Sequence, residues 1–102
     1  MENDVRSLLK NEFSLLISEK RKYFNETQAK FADRVGLCEK SIRNIEKSKK
    51  LPDVETIYRF VKKGIITIDE TISIFNKVLE MEKLVERRKN RVVKKWFIMF
   101  LS

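Results

Sequence analysis

A chain of 102 residues with 42% hydrophobic content can bury one small core, so a single domain with at most an appended helix is expected. Two glycines and one proline leave too little turn material for a sheet-rich fold, and a formal charge of +8 points to a polyanionic partner, nucleic acid before an acidic membrane surface. With no histidine and Cys38 as the single cysteine, a Cys/His zinc site, a histidine-dependent catalytic pair and an intrachain disulfide are all excluded, and a reducing compartment fits.

The N-terminus, MENDVRSLL, begins acidic and lacks a basic start before an apolar run, so no signal peptide is expected. The longest apolar run, residues 96–101, is too short for a bilayer span of about 20 residues. A cytoplasmic protein is the reading. No nucleophile, base or metal site is assembled, so neither an enzyme nor a cofactor is expected.

The first helix is expected over residues 4–24. Leu8, Leu9, Phe13, Leu16 and Ile17 keep three-and-four spacing, and the stem of Lys20 stands where an apolar residue would continue the stripe. Asn3 and Asp4 are the candidate N-caps. Asn25-Glu26-Thr27 makes the break that follows. Asparagine tolerates a left-handed backbone there, and Thr27 can cap a second helix that starts at Gln28.

Residues 28–45, QAKFADRVGLCEKSIRNI, hold the feature around which the chain is organised. Phe31, Ala32 and Val35 make an apolar stripe on one short helix; Ile42 and Ile45 make one on the next. Gly36 sits between them, where the chain must reverse sharply, and Leu37 can cover the corner. Ala32 lets two helices approach closely. These are the requirements of a helix-turn-helix. The second of its helices presents Glu39, Lys40, Arg43, Asn44 and Lys47 outward, with Ser41 beside them. Such side chains suit DNA base edges: asparagine pairs with adenine, lysine or arginine with guanine, and glutamate accepts from the cytosine amino group.

The stretch resembles the helix-turn-helix of the Cro/lambda-repressor family, also called the xenobiotic-response-element type. The likeness continues through Lys49, Lys50, Pro52 and Asp53-Val54-Glu55-Thr56-Ile57, reaches back to Arg21, and covers about residues 13–63. It implies that Glu39, Lys40 and Asn44 read bases, that Arg43 reads bases or holds phosphate, and that Thr27, Gln28 and Lys47 hold phosphates or flank the reading face. Ser41 is placed with the phosphate contacts, and Lys49 and Lys50 are positioned to clamp the backbone. It also implies an Arg21–Glu46 ion pair tying the first helix to the third. The chain departs from the pattern at Asn25 and Ser48, where the family has glycine, and at Glu26, where it has an aliphatic residue whose space falls to Phe24. It departs again at Cys38, in place of a capping hydroxyl; a redox-switching thiol and a buried or inert one are both open there.

A fourth helix is expected from the Asp53 cap through Lys62, with Val54, Ile57, Tyr58 and Val61 facing the core and Gly64 closing it. Thr67-Ile68-Asp69-Glu70 then forms a capping box opening a helix that no glycine or proline interrupts past Lys95. Ile68, Ile72, Phe75 and Leu79 are assigned to the domain core. Ile74, Val78, Met81, Val85 and Val92, extended by Trp96, are assigned to a coiled-coil-like seam between two copies. From Lys83 the chain turns basic (Arg87, Arg88, Lys89, Arg91, Lys94, Lys95) before its apolar end.

The expectation is therefore an all-α protein: a compact helix-turn-helix DNA-binding domain of four to five helices over residues 1–64, with a long C-terminal helical extension over 65–102 for dimerisation. Its function would be that of a sequence-specific regulator of transcription, a repressor that binds double-stranded DNA at a near-palindromic operator as a homodimer. The competing reading is an antitoxin-type interaction protein whose C-terminal helix grips a partner protein. A membrane-tethered regulator ranks third.

Overall fold

The computed structural model describes the backbone of residues 2–101 and the side chains of residues 5–85. Five helices follow one another: α1 (Glu2–Tyr23), α2 (Gln28–Val35), α3 (Glu39–Glu46), α4 (Val54–Lys62) and α5 (Ile68–Leu101). Among the described residues there is no strand. The protein is all-α.

All five helices contribute buried apolar side chains. Phe13 and Ile17 enter from α1, Phe31, Ala32 and Val35 from α2, Ile42 and Ile45 from α3, Phe60 from α4, and Ile74 and Val78 from α5. Ile65 and Ile66, in the connection after α4, are each 2% exposed and belong to the same cluster. The buried cluster thus continues past residue 64 to Ile65 and Ile66, and α5 packs beside α1.

Three expectations about orientation and boundaries are corrected. Asn3 and Asp4 lie inside α1 rather than ahead of it, so neither is its cap; acidic residues in a first turn are favoured by the helix dipole. On α4, Val54 and Tyr58 are 83% and 62% exposed, while Phe60 is fully buried beside Thr56. Ile57 and Val61 do pack against the core. Successive residues on a helix are about 100° apart, so seating Phe60 inside turns Tyr58 outward. The Phe60 ring stacks on Phe31 with centroids 6.3 Å apart, and that large contact sets the rotation.

The third correction is on α5, where the stripe assigned to the core faces outward and two residues of the other stripe are buried instead. Ile74 and Val78 are 6% and 3% exposed and face α1. Ile68, Ile72, Phe75 and Leu79 are exposed, at 64%, 48%, 44% and 52%. Two ion pairs to α1 accompany this rotation: Lys20 to Glu70 at 3.0 Å and Lys77 to Glu12 at 3.1 Å. Phe75 reaches only the rim, meeting Phe13 edge to face at 6.4 Å. The capping box forms in both directions, Glu70 N to Thr67 Oγ1 and Thr67 N to Glu70 Oε1, each 3.0 Å.

Candidate nucleic-acid interface

The turn between α2 and α3 is held from two sides, by the end of α2 and by α4. Gly36 takes φ +79°, and its N–H donates to the carbonyls of Ala32 and Asp33 while Leu37 N donates to Ala32 O at 2.9 Å. These bonds satisfy the last carbonyls of α2. From α4, Arg59 donates Nη1 to the Gly36 carbonyl at 2.8 Å and is itself steadied by Glu55 at 3.1 Å. A Cβ at Gly36 would stand 3.0 Å from that Arg59 nitrogen. Arg59 was invisible to sequence reasoning, because an arginine on α4 carries no local sign of a contact 23 residues away.

The base of α3 is fixed to α1. Arg21 donates Nε to Glu46 Oε2 at 2.8 Å, Nη2 to Glu46 Oε1 at 3.0 Å, and Nη1 to the Glu26 carbonyl at 2.8 Å. Ser14 Oγ donates to the Glu46 carbonyl and Ser18 Oγ to Glu46 Oε1 at 3.3 Å. The hydrogen bonds that Arg21 donates to Glu46, aided by the carboxylate's charge, raise the pKa of its guanidinium. The pair implied by the resemblance is formed, and it has company that the sequence did not announce.

Glu26 does not vacate its space for Phe24. It is 8% exposed, and its carboxylate pairs with Arg34, whose guanidinium lies 4.9 Å above the Phe24 ring. Neither oxygen has an aligned hydrogen bond, so the guanidinium ion pair alone meets the buried charge. Asn25, at φ 55°, takes the left-handed backbone expected of it.

At the start of α2, Thr27 Oγ1 accepts from Lys30 N at 3.2 Å; Thr27 is exposed and Gln28 half-buried. On α3, Glu39, Lys40, Arg43 and Lys47 are exposed, with Ser41 and Asn44 half-buried at their edge. Glu39 and Arg43 approach to 3.7 Å one turn apart. The Asn44 carbonyl accepts from Lys49 N at 2.8 Å and Lys50 N at 3.2 Å, which folds the exit loop back on the last turn of α3. Ser48 makes this possible by taking φ 59°, the conformation for which glycine is better suited. Lys49 and Lys50 are both exposed. Asp53 Oδ1 accepts from Thr56 N at 2.8 Å, and this bond lowers the Asp53 pKa.

Cys38 is exposed, not buried. Its side chain makes no capping bond to α3 and instead meets Ser41 Oγ at 3.2 Å. That hydrogen bond, with a smaller contribution from the charge of Lys50, lowers the thiol pKa.

The structure thus gathers Lys40, Arg43, Asn44, Lys47, Lys49 and Lys50 on α3 and its exit loop. It separates the residues assigned to the dimer seam. Ile74 and Val78 are taken up inside the chain, Met81 is half-buried and Val85 half-exposed, and Val92 and Trp96 lie outside the residues whose side chains are described. So do Arg87, Arg88, Lys89, Arg91, Lys94 and Lys95; Lys83 is exposed and meets Glu80 at 3.5 Å. Among the described residues, no helix is long and apolar enough to cross a membrane and no cluster of metal-capable side chains occurs. No protein-family model, curated protein or solved structure matches this chain.

Proposed function

We propose that the chain is a sequence-specific regulator of transcription that binds double-stranded DNA in the cytoplasm, acting as a repressor by occupying a near-palindromic operator as a dimer. One observation carries the reading: a short helix is tied down at its end by Arg21–Glu46, follows a turn held by Gly36–Arg59, and turns a row of polar and basic side chains outward. A rigid helix with Lys40, Arg43, Asn44 and Lys47 along one face fits the major groove, which admits a single α-helix. Lys49 and Lys50 flank it as phosphate contacts, and the formal charge of +8 supplies attraction without sequence preference. In this reading α3 is the recognition helix of a Cro/lambda-repressor-type unit.

The test is selection of bound duplexes from a random pool, followed by two substitutions. Asn44→Ala relaxes base preference at one position of the selected site, at about 1–3 kcal/mol of discrimination. Lys49→Ala weakens every sequence alike and lowers the slope of log affinity against log salt by about 0.9. Selection that returns no shared sequence, or equal losses for both variants on all duplexes, rejects the proposal.

A further inference from the structure

We propose that the exposed face of α5 formed by Ile68, Ile72, Phe75 and Leu79 is the seam through which two copies of this chain associate. Ile74 and Val78, on the opposite side of the same helix, already pack against α1, so they are spent within the protomer. The outward stripe has what a self-pairing helix needs. Its residues step four, three and four along the chain, the alternation that keeps a helix face against a partner helix. That series reads the same from either end, so a two-fold axis matches the stripe to itself in complete layers and closes the assembly at two copies.

Size supports the same occupant. At 64%, 48%, 44% and 52% exposure, the four side chains offer roughly 400 Å² of apolar surface, as much as the patches that mark interaction sites on monomers. A standard interface buries about 800 Å² per partner, a little over half of it apolar. The stripe supplies that apolar share, with Asp69, Thr71, Asn76 and Lys83 bordering it as a polar rim. Phe75 already meets Phe13 edge to face within the protomer. The copies carry +8 each and repel, so salt, which screens charges beyond about 10 Å at 0.1 M, tightens this association while it weakens DNA binding.

The near-palindromic operator rests on such a dimer, and the experiment separates the two. The full chain is used, because Ile65, Ile66, Ile74 and Val78 belong to the core and a truncation before them would remove it. Light scattering compares the wild type with Ile72→Asp and, separately, Leu79→Lys; circular dichroism checks that each is folded, as exposed positions should allow. A wild-type mass of twice 12.2 kDa that halves in both variants, with the wild-type dimer strengthened by salt, supports the seam. A monomeric wild type, which would hand the stripe to a different protein, overturns it, and so does a dimer that survives both substitutions. Retention on an arbitrary duplex at low salt is read in parallel. A monomer that still binds duplex sinks the seam but not the DNA reading, whereas a dimer that ignores duplex does the reverse.

Discussion

Arg21, near the end of α1, and Glu46, the last residue of α3, form a bidentate ion pair with N–O distances of 2.8 and 3.0 Å. Their side chains are 19% and 7% exposed. It is the bond that fixes the base of the proposed reading helix to the rest of the domain. Removing either partner leaves the other charge mostly out of water.

Glu46→Ala is therefore expected to cost about 3 kcal/mol, well above the 0–1 of an exposed pair. For a domain of this size that lowers Tm by about 15 °C. Arg21→Ala also frees the Glu26 carbonyl. A double-mutant cycle read by urea unfolding should give a coupling of at least about 1 kcal/mol; additive losses would show that the pair is structurally idle.

Glu26 makes an opposite prediction. Its buried carboxylate has Arg34 and no aligned hydrogen bond, and such a pair often gains nothing over apolar packing. Glu26→Leu should leave stability unchanged or raise it by about 1 kcal/mol, while Arg34→Ala, which strands the charge, should lower it by about 3 kcal/mol. Thermal melts of the two variants decide it. A large loss for Glu26→Leu would mean that the carboxylate is needed.

Two backbone positions should respond with opposite signs. Gly36→Ala places a Cβ in the left-handed region, 3.0 Å from Arg59 Nη1, at a cost of about 1–2 kcal/mol. Ser48→Gly removes the same strain from φ 59° and should stabilise by about 0.5–1 kcal/mol, the gain being reduced by glycine's freedom in the unfolded chain. Urea midpoints measure both.

Acid should loosen the helix starts. The pKa of Asp53 is lowered by its hydrogen bond to Thr56, and that of Glu70 by its hydrogen bond to Lys20 and then by its bond to Thr67. Both groups are more acidic folded than unfolded. Their contribution is complete above the unfolded carboxylate range of about pH 4, and it falls away as pH drops from there through the lower folded values. Tm measured from neutral to acidic pH should fall in that window, and Asp53→Asn, which keeps an acceptor but cannot titrate, should flatten the curve.

Much of this was legible locally. Thr27, Gly36, Asp53 and the Thr67–Glu70 box act through hydrogen bonds spanning three or four residues, so their roles show in a short window. The outward row of α3 was legible too, since Ile42 and Ile45 leave only one way for an eight-residue helix to sit. Arg21–Glu46 was implied by resemblance, not by spacing.

The amino-acid sequence by itself determined that the chain is helical, where its turns fall and which side of α3 faces water, because those depend on neighbours a few residues apart. Only the tertiary structure decided the rotation of α4 and α5, the reach of Arg59 to Gly36 and the burial of Glu26. On both α4 and α5 the sequence offers two apolar stripes at acceptable spacing, and periodicity is indifferent between them. Phe60 against Phe31, and α5 packed on α1 with Ile74 and Val78 buried, break that tie through contacts between residues far apart in the chain.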